Sequence, residues 1–135
     1  MNYKIEEIEG IGKAQAEKLA QAGIKTTKDL LTQGASARGR KVIAERCGVS
    51  AVRLLKWVNM ADLMRISGVG EEYSELLEAA NCNTVKQLRR RNAVNLSRRM
   101  LEINATKKLV RSPPSEAQVI KWVTQAGKLE PMLTY

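Results

Sequence analysis

Hydrophobic residues recur every three or four positions along most of the chain. Ala14, Leu19 and Ala22 alternate with Lys13, Glu17, Lys18 and Gln21, the period of a helix with one buried face. Thr27 is expected to cap a short helix running through Leu31, and Ser50 to cap the helix that carries Trp57, because a hydroxyl accepts from the unpaired amides of a first helical turn. Pro113-Pro114 must interrupt a helix, and Ser115 then opens the last long one. No run alternates with the period of a half-buried strand. The pattern predicts an all-α chain of about ten short helices.

The helical pattern also repeats. Ile8-Glu9-Gly10-Ile11-Gly12 returns 58 positions later as Ile66-Ser67-Gly68-Val69-Gly70, and the register holds through Leu19 and Leu77, Thr26 and Thr84, and Leu30 and Leu88. Gly23 matches Asn81, and these are the two residue types that best tolerate the left-handed conformation closing a helix. Further on, Ser50 through Lys56-Trp57-Val58 matches Ser115 through Lys121-Trp122-Val123 at an offset of 65, a net insertion of seven residues expected within Val110–Pro114. The repeat predicts two tandem copies of one helical unit packed into one compact body. The first spans 1–60, and the second spans 61–135 with an arginine-rich segment and the C-terminal helix.

Charge narrows the function. The chain has 135 residues with 23 Lys and Arg against 14 Asp and Glu, a net charge of +9, which favours a polyanionic partner. No apolar stretch reaches the roughly 18 residues of a membrane span, and Met1-Asn2-Tyr3-Lys4 leads into a charged segment rather than a signal-peptide core. Cys47 and Cys82 stand far apart without a CxxC, as buried thiols in a reducing cytoplasm would. The chain has no histidine, so the usual base near neutral pH and the commonest metal ligand are missing. No nucleophile lies beside a base. A non-enzyme without metal or cofactor is expected.

The pattern hydrophobic–x–Gly–hydrophobic–Gly, followed by a helix with small residues on one face, resembles the helix-hairpin-helix motif. The continuation LAQAGIKTTKDLL resembles the extended form found in N-terminal domains of Rad51-type recombinases and in bacterial DNA-repair and ligase proteins. Over about residues 5–129, with WVNMADLMRISGVG at its centre and RNAVNLSRRMLEINATKKLVRSPPSEAQVIKWV near its end, the chain resembles a bacterial family of double helix-hairpin-helix proteins. That resemblance implies a fold and no particular activity. For hairpins that bind nucleic acid, it implies that amides of the glycine turn and of the next helix's N-terminus grip a phosphate. The physics agrees, since glycine lets the backbone approach closely and a helix N-terminus offers unpaired donors with partial positive charge. On this mapping Gly10, Ile11 and Gly12 form a first seat with Lys13 beside it, and Gly68, Val69 and Gly70 a second. Glu71 and Glu72 follow the second seat directly and compete with a phosphate for it. The same glycine turn also joins two helices with no ligand at all.

A second basic feature lies downstream. Between Lys86 and Arg111 the basic residues are Lys86, Arg89, Arg90, Arg91, Arg98, Arg99, Lys107, Lys108 and Arg111, opposed by Glu102 alone, a density suited to a phosphate backbone. A competing motif, GRKVIAERCGVSAVRLLKWVN at 39–59, resembles a helix-turn-helix in which Ser50, Ala51, Val52, Arg53 and Lys56 would open a recognition helix. The repeat argues against it, because Trp57 and Trp122 are most simply equivalent core anchors. Phenylalanine is absent and aromatics make up 4% of the chain, few for base stacking. The expected function is nonspecific binding of nucleic acid, duplex DNA above all, through the first glycine hairpin and the arginine-rich surface, with no membrane partner. The rival is a protein-interaction adaptor that uses the same units without nucleic acid.

Overall fold

The computed structural model describes residues 2–135. Every regular element among them is helical except an isolated bridge pairing Lys4 with Thr26. The described residues form eight α-helices and one 3₁₀ turn, close to the expected number of short helices. Two compact units divide the chain, Met1–Asp62 with Met132–Tyr135, and Leu63–Pro131. That the last four residues return to the first unit is invisible to hydrophobic periodicity.

In the first unit a 3₁₀ turn, Ile5–Glu7, leads through Ile8–Gly12 into α1 (Lys13–Gln21). Next come α2 (Thr27–Gln33), α3 (Ala37–Cys47) and α4 (Ala51–Leu63), whose last residue belongs to the second unit. Ile5, Ile8, Leu19, Ile24, Leu54 and Trp57 are each at most 1% exposed. Helix α1 packs on α3, and α3 on α2. The cap of α2 is Thr26, not Thr27: Thr26 is extended (φ −129°, ψ 164°), and its hydroxyl accepts from the Asp29 amide at 3.1 Å. The Asp29 carboxylate returns the favour to the amides of Thr26 and Lys25, which holds it below the usual aspartate value, the Lys25 bond being the largest cause. Thr27 is already helical, and its hydroxyl instead accepts from the Tyr3 amide at 3.1 Å, fastening the N-terminal segment. Ser50 caps α4 as expected, accepting from the Arg53 amide at 3.1 Å.

The second unit holds four α-helices, matched to those of the first by the sequence repeat. Helix α5 (Glu71–Ala79) corresponds to α1, α6 (Val85–Leu88) to α2, α7 (Ala93–Lys107) to α3 and α8 (Glu116–Ala126) to α4. Thr84 caps α6 through the Gln87 amide, and Ser115 caps α8 in a capping box with Gln118. The prolines do not break a helix. Helix α7 has already ended at Lys107, with Lys108 left-handed at φ 51°, and the buried Asn104 exchanges two hydrogen bonds with the Val110 backbone at 2.9 and 3.0 Å. The added length is shared, with α7 four residues longer than α3 and the connection before α8 five longer than that before α4, while the start of α7 follows that of α6 two residues sooner than α3 follows α2.

Both units close on one detail. Gly10 and Gly68 have φ of 91° and 90°, a region that costs an L side chain about 1–2 kcal/mol. A Cβ on Gly10 would lie 3.3 Å from Trp57 Nε1, and one on Gly68 would lie 3.4 Å from Trp122 Nε1. The Ile11 amide donates to Ile8 O and the Val69 amide to Ile66 O, both at 3.1 Å, closing the two turns alike. Gly23 and Asn81 end α1 and α5 at φ 82° and 60°, so the letter changes and the backbone does not.

Gly10→Ala and Gly68→Ala should therefore each lower stability by about 1–2 kcal/mol, and Trp57→Ala or Trp122→Ala by about 3–5 kcal/mol. Asn81→Gly should stay within about 0.5 kcal/mol. Urea denaturation of the variants checks all three, and an unaffected Gly10→Ala would contradict the glycine–tryptophan constraint.

Candidate nucleic-acid interface

The first hairpin is built around an uncapped helix end. Gly12 is the N-cap of α1, extended and without a side-chain cap bond. Gly12 O accepts the first helical bond from the Ala16 amide at 2.9 Å, so the amides of Lys13, Ala14 and Gln15 have no acceptor within the helix. Gly12, Lys13 and Ala14 are exposed. Ile11 is 6% exposed and its amide is spent on Ile8 O. Of the expected seat of Gly10, Ile11 and Gly12, the Ile11 amide is thus already used, while Gly10 and Gly12 are exposed beside Lys13 and Ala14. The Gln15 side-chain oxygen lies close to this end, 2.9 Å from where a Cβ on Gly12 would be.

Sequence reasoning missed a further cation here. Arg53 Nη2 donates to Gly10 O at 3.2 Å, and its guanidinium lies 5.1 Å from the Trp57 ring centroid. The stack and the carbonyl fix Arg53 on the hairpin, which is a different job from opening a recognition helix. Acidic groups are also near. A groove of about 490 Å³ beside α1 is lined by Glu6, Lys13, Ala16, Glu17 and Ala20.

The second glycine turn shares the positive φ and the closing hydrogen bond of the first but carries different chemistry. Gly70 caps α5 without a side-chain bond, and the exposed Glu71 and Glu72 occupy the first turn, where carboxylates complement the helix end themselves. The position matching Arg53 holds Gln118, whose side chain accepts from the Ser115 amide at 2.8 Å. Tyr73 takes the neighbouring space, its ring 5.2 Å from Trp122 and its hydroxyl donating to Ser112 O at 2.9 Å.

The arginine-rich segment divides by use. Arg89 Nη2 donates to Gly127 O at 3.2 Å, at the C-terminal end of α8. Arg91 Nη1 donates to Ala80 O at 3.3 Å, at the C-terminal end of α5. Both cations complement the partial negative charge of a helix terminus. Arg99 pairs with Glu102 at 3.4 Å. Arg90, Arg98, Lys107 and Lys108 are exposed. On α7, Leu96, Met100, Ile103 and Asn104 form the buried stripe. At about 100° per residue, Arg98 points away from that stripe while Lys107 falls on its side, at the helix end. The segment is basic throughout but does not form a single row of cations along α7.

The remaining chemistry is inert. Cys47 and Cys82 are free and buried; burial raises both thiols, Cys82 to about 11. No cluster of three or more His, Cys, Asp or Glu fit to hold a metal occurs among the described residues. No helix among them is long and apolar enough to cross a membrane. Arg40 was also missed. It is 8% exposed on α3 and donates to three backbone carbonyls; its place on the stripe Arg40, Ile43, Ala44, Cys47 was the available signal.

The chain belongs to the family described as Domain of unknown function (DUF4332), which matches residues 9–129. No curated protein and no solved structure matches the chain.

The division of the arginines is open to direct measurement. Arg89→Ala and Arg91→Ala should each cost about 0.3–1 kcal/mol of stability through the lost helix-end interaction. Arg90→Ala and Arg98→Ala should change it by less than about 0.5 kcal/mol. Thermal melts in low salt distinguish the two pairs, and equal melting temperatures for all four variants would refute the division.

Proposed function

We propose that this DUF4332 chain consists of two tandem helix-hairpin-helix units and serves as a non-enzymatic module that binds nucleic acid, duplex DNA above all, by its phosphate backbone. The observation that carries the reading is the contrast between the hairpins. The first has exposed, uncapped amides from Gly12 to Ala14, with Lys13 in the first turn and Arg53 fixed beside Gly10. The second has Glu71 and Glu72 at the same helix end and Gln118 in place of Arg53. One copy is suited to a phosphate and the other is not. Arg90, Arg98, Lys107 and Lys108 add exposed positive charge in the second unit. Buried, protonated thiols are in keeping with a reducing cytoplasm.

The mode of contact sets the expected magnitudes. Each neutralised phosphate contributes about −0.9 to the slope of log K against log salt. With three or four phosphates engaged, the slope is about −3 to −4, the weak and steeply salt-dependent binding of a backbone reader. A specific observation also supports the rival adaptor role: the groove beside α1 is lined by the small residues Ala16 and Ala20 together with Glu6, Glu17 and Lys13.

Anisotropy of a labelled duplex across a salt series tests the reading. Lys13→Glu puts a carboxylate where the second copy already has one, and should weaken binding by about 1 kcal/mol, roughly fivefold, with the fold intact. Arg90→Ala combined with Arg98→Ala should make the slope shallower by about 2. Absence of binding to duplex at low salt would overturn the nucleic-acid reading in favour of the adaptor. Equal affinities of wild type and Lys13→Glu would make the glycine turn purely structural in both copies.

A further inference from the structure

The first unit contains a built site for an extended segment of polypeptide. Gly34 ends α2, and a Cβ there would meet Leu30 O at 2.8 Å and Val58 at 2.9 Å, so the backbone at Gly34–Ala35 is pressed against the core. The buried Arg40 donates from Nη1 to Gly34 O at 2.9 Å and Ala35 O at 3.0 Å. Its Nη2 turns the other way and donates to Thr134 O at 2.6 Å. The Thr134 amide donates to Ala35 O at 2.8 Å. Tyr135 lies over the guanidinium, 5.3 Å from Cζ to ring centroid, and its hydroxyl bonds Asn59 at 3.3 Å.

We propose that this cleft, formed by Gly34, Ala35, Arg40 and Asn59, is a docking site for the segment Met132–Tyr135 of a second copy of this chain, in exchange for the chain's own. Recognition is by main chain, with both the amide and the carbonyl of Thr134 engaged as in the addition of a strand to an edge, and by an aromatic ring on a cation. Nothing in these contacts requires the segment to come from the same molecule. The segment joins the second unit through Pro131, just after Glu130, whose carbonyl accepts from Arg65 at 2.8 Å. Its grip on the first unit is small: Met132 and Leu133 are half-buried, while Thr134 is exposed and Tyr135 is 72% exposed. Short, largely exposed segments held by few contacts open at low cost. Release leaves the buried Arg40 short of an acceptor, and the same segment from another copy restores every bond, which is the exchange route to a dimer. The inference is independent of nucleic-acid binding.

Complementary variants of the 135-residue chain test it. Thr134→Pro removes the amide given to Ala35 but leaves the cleft intact. Arg40→Ala destroys the cleft but leaves the segment intact. Each alone should sediment as a monomer. An equimolar mixture at about 0.5 mM, below the millimolar effective concentration of a short tether, should contain a one-to-one heterodimer. A mixture that stays monomeric overturns the proposal. Should Arg40→Ala not fold, a labelled peptide of residues 128–135 replaces it. The peptide should bind Thr134→Pro at least about tenfold tighter than wild type, whose own segment competes from its tether; equal affinities overturn the proposal.

Discussion

The fold depends on a glycine set against a tryptophan. Gly10 faces Trp57, and Gly68 faces Trp122, each with positive φ; a Cβ would press on the indole nitrogen at Gly10 and touch it at Gly68. The turn has to be this tight because Ile8 and Ile11 in one unit, and Ile66 and Val69 in the other, dip into the core on either side of it. Two buried apolar residues three positions apart, with the chain reversing between them, leave the intervening residue outside and left-handed. Glycine adopts that conformation without strain. Burial of the tryptophans, at 1% and 3% exposure, is the reward for the close approach.

That constraint explains why the two copies keep their backbone while their charge diverges. The turn has structural work in both, so it persists beside Glu71 and Glu72 as readily as beside Lys13. The surface around it is free to change. Arg53, stacked on Trp57, has Gln118 as its counterpart, and Tyr73 fills the space next to Trp122. In the proposed reading, the first copy keeps a helix N-terminus open to a phosphate and the second has its own carboxylates there. The arginines of the second unit follow the same economy: Arg89 and Arg91 complement helix ends, while Arg90 and Arg98 remain exposed.

The all-helical fold was legible because apolar spacing, capping hydroxyls and left-handed stops are local. Ser50 and Ser115 cap the helices expected of them, and Asn81 takes the left-handed place of Gly23. Local reasoning failed where two hydroxyls compete. Thr26 and Thr27 are equally good letters for a cap, and Tyr3, far away in sequence, claims Thr27. It failed again at Pro113-Pro114, where the buried Asn104 had already organised the end of α7 by bonding Val110. At the candidate site, the glycines and Lys13 were readable as a motif. That the Ile11 amide is consumed within the turn, and that Arg53 reaches Gly10 across 43 residues, are tertiary facts. Charge density marked the arginine-rich segment but says nothing of which guanidiniums meet a carbonyl.

The two indole N–H groups offer the most direct test of the central claim, that one hairpin is open to phosphate and the other is structural alone. Each reports on one glycine turn. In a nitrogen–proton correlation spectrum recorded while a short duplex is added at low salt, the Trp57 indole and the amides of Gly12, Lys13 and Ala14 should shift together and saturate. The Trp122 indole and the amides of Gly70, Glu71 and Glu72 should stay in place. Equal shifts at both hairpins, or shifts at the second alone, would contradict the account.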